Sequence, residues 1–327
     1  MVVGAIPEAI PVCLPEDETL PEPGRPLRGS GTAKRHNHDL ILFLLPAVII
    51  VFVVNYVPMY GIIIAFKDFR ISRGIVGSPW VGFKHFERFF NSAYGWPVVF
   101  NTLLLNLYIL VIAFPAPIFL ALLLNEVRNE RAKRFVQTVT YMPHFISIVV
   151  IVGMIKLFLS PQAGLYGGAV RAIGATPINL LAAQQWFRTI YVVSDVWQHM
   201  GWSSIIYLAA LSAVDPNLYE AARVDGATRL QKIIHIDIPS LLPTIMILLI
   251  LRVGVLMTIG FEKVFLMQNS LILDVAEVLP TYVYKVGIGR SQFSFATAVG
   301  LFQTLVNFVL LLATNQLAKS MRQTTLW

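Results

Sequence analysis

Six stretches of this chain are apolar for about as long as a lipid bilayer is thick. A hydrocarbon core of about 30 Å needs roughly 20 residues of helix, and the runs 40–66, 98–124, 141–159, 190–213, 241–261 and 295–317 meet that length. The charged residues inside them are Lys156, Asp195 and Arg252. In lipid a segment must satisfy its own backbone N–H and C=O groups, which leaves the helix for isolated runs of this kind. The expected fold is therefore all-α, with six transmembrane helices. Composition agrees: charged residues make up 13% of the chain, against about 25% in a soluble domain. A soluble globule of this size could not bury 56% hydrophobic residues. An ordinary soluble enzyme and a disordered chain are excluded, and a single cysteine, Cys13, excludes an internal disulfide framework.

Residues 1–39 are different material. They carry six prolines and the acidic run Glu16-Asp17-Glu18 without an apolar period, which reads as a disordered cytoplasmic tail. No basic stretch precedes an uninterrupted apolar core there, so a signal peptide is not expected. With the N-terminus inside, 13 Lys and Arg fall on the cytoplasmic side and 10 on the other. Arg128, Arg131, Lys133 and Arg134, crowded beside a span, favour the same orientation. Six crossings then make 40–318 the membrane domain and return 319–327 to the cytoplasm. The net charge of +7 is the charge of such loops rather than a nucleic-acid footprint.

Between the fourth and fifth spans the chain reads DPNLYEAARVDGATRLQKIIHIDIPSLLP over 215–243. Asp215-Pro216 is a helix start, with an acceptor for free N–H groups and a proline pre-set for the first turn. Leu218, Ala221 and Ala222 give a small apolar face, and Gly226 suits a left-handed C-terminal turn. A second short pattern, Leu230, Ile233, Ile234 and Ile238, is expected to close at Pro239. The expectation is a bent pair of short helices whose alanine face admits another protein.

Glu220-Ala221-Ala222, then Gly226, then Ile236-x-Ile238-Pro239 resembles the EAA loop of type I ABC importer permeases at every spacing, with Ile238 where that family usually carries leucine. The resemblance implies a MetI-like, maltose-permease-like fold with both termini cytoplasmic. It makes 215–239 a coupling loop that docks on an ATPase subunit through Glu220, Ala221, Ala222, Asp225 and Gly226. Pro58-Met59-Tyr60-Gly61, 65–69, 74–86, 281–284 and 294–301 are similar to the oligosaccharide subgroup of LplB-like permeases, and within it to the first permease subunit of alginate-oligosaccharide importers. That implies a bacterial inner-membrane protein paired with a second, related permease, two ATPases and an extracytoplasmic solute-binding protein. ATP and Mg would be held by the ATPases, with no cofactor in this chain.

The motifs agree with a dependent role. No glycine is followed by lysine, so there is no P-loop, and neither HExxH, a cysteine pair nor GxSxG occurs. Charge at membrane depth points to function. Counted along helices at 1.5 Å per residue, Arg252 lies roughly 17 Å deep, His199 about 18 Å, Trp202 about 14 Å and Asp195 about 24 Å. Asp195, Trp197, His199, Trp202 and Arg252 are thus the expected solute path. The planar fork of Arg252 suits the carboxylate of an acidic sugar; pairing with Asp195 or with the partner permease is the alternative. Asn101, Asn106, Gln303 and Asn307 are expected to bond to other helices, and Pro115 and Pro117 to kink the second span. Phe83, Phe86, Phe89 and Phe90 suggest a short amphipathic helix on the outer surface. Two rival functions predict other inventories. An ion-coupled secondary transporter needs more ionisable groups at depth, and a membrane enzyme needs paired carboxylates or a metal site.

Overall fold

The computed structural model describes residues 33–320, with side chains from residue 41 onward. The expected disordered tail therefore lies, up to residue 32, outside the described residues, as does 321–327. The chain divides into two compact units, 1–59 and 60–327. In the first, helix Ala33–Val51 starts seven residues before the expected span and passes into a π turn, Phe52–Tyr56. The 3-10 stretch Val57–Phe66 completes an apolar helix, Ile41–Phe66 (α1), of 26 residues.

The second unit is helical throughout its described residues, apart from turns and a lone bridge between Lys67 and Trp80. Its main helices are α2 (Gly95–Asn125), α3 (Glu130–Tyr141), α4 (Ile148–Phe158), α5 (Gln184–Ser212), α6 (Pro216–Val224), α7 (Arg229–Val253), α8 (Phe261–Met267), α9 (Leu279–Gly287) and α10 (Phe293–Ser320). Leu105 and Ile109 of α2 meet Phe187, Tyr191 and Val192 of α5. Further on, Ala121 and Leu122 meet Tyr207 and Leu211. The two helices thus run side by side in the same direction. Outward, Phe100 and Phe119 of α2 and Phe308 and Val309 of α10 are exposed, an apolar exterior suited to lipid. Helices α1, α2, α7 and α10 are long and apolar enough to cross a membrane, and the bent pair α3–α4 is a fifth if counted as one crossing. Helix α5, at 29 residues, is long enough but carries the polar residues described below.

Three five-residue π turns interrupt these helices: Phe52–Tyr56, Ile109–Ala113 and Ile233–Asp237. Each lies just before a proline: Pro58, Pro115 and Pro239. A proline ring collides with the carbonyl four residues back and offers no N–H to it. That residue is Val54, Val111 or His235, the third of each π turn. Widening the turn there lets the helix continue past the proline. Pro46 and Pro243 sit inside helix without such a turn. The expected kink at Pro115 and Pro117 is thus a π turn within a continuous α2, and Pro239 does not close the second loop helix. The chain carries on through it into α7.

Three further expectations are corrected. The third span is not one helix over 141–159: its two halves meet at 100°, around the 3-10 turn Met142–Phe145, which contains Pro143, and an extended Ile146. The fifth span ends at Val253 instead of reaching 261. The backbone after it is held partly by local turns and partly from α10, where Asn307 accepts from Met257 N–H (2.7 Å) and donates to the Thr258 hydroxyl (2.9 Å), with Gln303 donating to the same hydroxyl (3.2 Å). Irregular backbone at membrane depth needs partners of this kind. Asn101 also reaches another segment, the Asp274 carbonyl at 2.7 Å, whereas Asn106 bonds to Thr102 of its own helix. Lastly, Phe89 is no surface anchor. It is buried with Val98, Met257, Leu279 and Phe295, while Phe83 alone of the four phenylalanines is strongly exposed.

Candidate functional site

Tyr191, Asp195, His199, Trp202 and Ile206 recur at three- and four-residue spacing on α5 and so share one face. That face lines a cavity of about 930 Å³, at the upper end of the ~300–1,000 Å³ usual for ligand sites. Ile109, Phe114 and Pro117 of α2, Leu248 and Arg252 of α7, and Thr258 and Lys263 beyond the break in α7 complete its wall. Of the five residues expected on the solute path, Asp195, His199, Trp202 and Arg252 converge here. Trp197 does not: it falls on another face of α5 and is exposed outside the cavity.

Asp195 is the hub. Its Oδ1 lies 3.5 Å from Lys263 Nζ and 3.4 Å from His199 Nδ1. Lys263 also donates to the Tyr191 carbonyl at 3.3 Å and sits 4.7 Å from the centre of the Tyr191 ring. Arg252, in the last turn of α7 where a cation complements the helix dipole, makes no hydrogen bond or ion pair with any described residue. The alternative of an Arg252–Asp195 ion pair is thus not realised: Lys263 holds the carboxylate, Arg252 acts on it at longer range, and Arg252 stands as a cationic fork on the cavity wall. Gln198, buried on the same wall, has an Oε1 without a hydrogen bond among the described residues. Trp202 is stacked at 4.7 Å, 2° from parallel, on His144 at the corner between α3 and α4, so one of its faces is taken. Lys263 lies two residues beyond the expected fifth span, 241–261, and nothing in its neighbourhood in the sequence marks it as part of a site.

The other expected site is the loop after α5. Asp215 caps α6 by accepting from Asn217 N–H at 2.9 Å. Glu220, Ala221, Asp225 and Gly226 are exposed and Ala222 is half-buried, all within one short helix and its terminal turn. Gly226 holds φ +73°, a left-handed conformation that favours glycine. Thr228 and Gln231 form a capping box that starts α7. Leu218, Val224 and Leu230 are exposed around the turn. Beneath it, burial and the neighbouring Asp237 carboxylate push the Tyr219 phenol up to about 12, so it stays protonated and donates to Asp237.

Residues 113–323 match the family described as binding-protein-dependent transport system inner membrane component. The chain belongs to that family. This importer permease is 46% identical over 280 residues to the polygalacturonan/rhamnogalacturonan transport system permease protein YteP of Bacillus subtilis, covering 86% of this chain and 87% of that protein. It is 41% identical to LplB of the same organism, covering 89% and 92%. A permease chain in the crystal structure of a bacterial alginate ABC transporter, in complex with an alginate pentasaccharide-bound periplasmic protein, superposes with a TM-score of 0.82 at 38% identity, over 90% of this chain and 99% of that one. The all-helical fold is accordingly that of importer permeases, and the chain works in transport rather than bond chemistry.

Proposed function

We propose that this permease is one of two paired subunits that carry an acidic oligosaccharide, of uronate or alginate type, from an extracytoplasmic solute-binding protein into the cytoplasm. Six crossings, with α5 and the bent pair α3–α4 as the two that hydropathy marks least, put both termini inside and the 215–239 loop on the cytoplasmic face. There Glu220, Ala221, Ala222, Asp225 and Gly226 meet an ATPase subunit. ATP and Mg belong to two such subunits. Nucleotide-driven movement of the loop switches the bundle between inward- and outward-facing packings of similar free energy. The 1–39 segment is the cytoplasmic tail.

The substrate class rests on one observation: among the described residues Arg252 lines the cavity with no hydrogen-bond or ion-pair partner, while Lys263 is paired with Asp195. A guanidinium whose hydrogen-bond donors are unspent in a largely apolar chamber favours a carboxylate, which it can bind through two parallel hydrogen bonds. The alginate- and polygalacturonan-handling relatives support the same class.

The test is uptake by the reconstituted transporter with its binding protein and ATP. Arg252→Gln should lower uptake of a uronate oligomer about tenfold or more, the factor expected for one charge-assisted hydrogen bond of about 1.5–3 kcal/mol. Uptake of uronate oligomers that is unchanged by Arg252→Gln would sink the assignment.

A further inference from the structure

The loop assigned to ATPase docking is joined to the membrane helices through one buried carboxylate. Asp237 is fully buried at the end of the π turn Ile233–Asp237 in α7. Its Oδ1 accepts from the Tyr219 hydroxyl of α6 at 2.5 Å and from Asn125 Nδ2, the last residue of α2, at 3.5 Å. Glu126, next in the chain, lies 3.9 Å from both Arg229 and Lys232 at the start of α7. The carboxylate's other oxygen, Oδ2, is buried without a hydrogen bond among the described residues. An ionisable group is costly to hold in such a place and strongly constrains what surrounds it.

What else ties α6 to the bundle is slight. None of its residues is buried, and the short turns on either side, through Asp215 and Gly226, are exposed. Beyond the Asp215 cap, the side-chain hydrogen bonding of α6 to other helices runs, among the described residues, through Tyr219 in this cluster. Three elements therefore meet at one acceptor: the loop helix, the end of α2 and the first turns of α7. Helix α2 and helix α7 are two walls of the cavity.

We infer that Asp237 is the positioning residue that carries displacement of α6 to α2 and α7 together, with Tyr219 as its lever. This rests on the docking role given to the 215–239 loop. A rigid hydrogen-bonded joint moves both walls in step. Without it, α6 can follow an ATPase subunit while the exposed turns absorb the motion, so nucleotide is spent without transport.

The experiment uses the complete transporter in proteoliposomes, with binding protein and sugar, and reads sugar imported per ATP hydrolysed alongside retention of the ATPase subunits. Tyr219→Phe removes a single hydroxyl and should lower that ratio about tenfold, the factor matching one hydrogen bond to a charged group, with the ATPase subunits still co-purifying. Asp237→Ala should do the same. Asp237→Asn, which keeps the volume and an acceptor, should recover most of the ratio. A parental ratio in Tyr219→Phe overturns the inference, as does an Asp237→Asn no better than Asp237→Ala. Loss of the ATPase subunits in Tyr219→Phe also overturns it, since Tyr219 would then belong to the docking surface. Full ATPase binding and stimulation after Glu220→Ala with Gly226→Ala would instead remove the docking role itself, whatever the Tyr219→Phe ratio.

Discussion

Asp195 and Lys263 test the electrostatics of the cavity most sharply, because the structure supports the two partners unequally. Lys263 is 3% exposed and, besides the carboxylate at 3.5 Å, has only the Tyr191 carbonyl and ring around its ammonium among the described residues. The Asp195 side chain is 20% exposed and keeps His199 at 3.4 Å. At an effective dielectric near 20, unit charges at this separation attract by roughly 4–5 kcal/mol before desolvation is subtracted. Removing one partner of a buried pair costs about 3–5 kcal/mol, most of it from the charge left behind. Asp195→Asn leaves the more deeply buried charge, so its cost should fall in that range. Lys263→Met leaves a partly solvated carboxylate beside His199, and its cost should be nearer 1–2 kcal/mol, by the same reasoning discounted for exposure. Replacing both removes the charges together and should return stability to within about 1 kcal/mol of the parent. Thermal unfolding of the assembled transporter in nanodiscs at neutral pH reads the order. If Lys263→Met were the worse single change, or the double change worse than either, the pair would not carry the balance assigned to it.

Two further predictions concern how the cavity walls are held. A Cβ on Gly201 of α5 would collide with the Thr140 carbonyl, whereas one on Gly153 of α4 would meet nothing within 4 Å; Gly201→Ala should therefore cost about 1–3 kcal/mol through overpacking, and Gly153→Ala should be neutral or gain up to ~1 kcal/mol of helix propensity, a contrast that melting temperatures of the two variants will check. Asn307→Leu removes the acceptor of the buried Met257 N–H and a partner of Thr258, so it should destabilise by about 1–3 kcal/mol, with hydrogen exchange rising at residues 254–260.

Hydropathy located the long apolar helices α1, α2, α7 and α10 and picked out two of the charged residues on the cavity wall, Asp195 and Arg252, because both follow from the cost of putting charge in lipid. It placed Asp195, His199, Trp202 and Arg252 at compatible depths, and they share one chamber. It misplaced Trp197 because depth along a helix says nothing of azimuth: Trp197 lies two residues from Asp195, and two residues turn an α-helix by about 200°. Lys263 was invisible for a different reason. An apolar run that ends in Phe261-Glu262-Lys263 looks like a span reaching water, and no local signal says that the helix has already stopped at Val253. Local turns satisfy much of the backbone that follows, and the Met257 N–H is satisfied only in the tertiary fold, by Asn307 of α10.

Pro239 shows how one local rule can mislead and then explain. As a breaker it should have closed the loop helix; instead the turn before it widened, and the chain continued as α7. The widened turn ends on Asp237, whose carboxylate faces Tyr219 and Asn125. An ordinary α turn at Ile233–Asp237 would change the azimuth of every residue upstream relative to the span, including Arg229 and Lys232, which meet Glu126 at the end of α2. The proline thereby fixes the register between the loop and the membrane helices. Its steric demand is local, but its consequence is the geometry through which an exposed elbow can move two walls of a chamber.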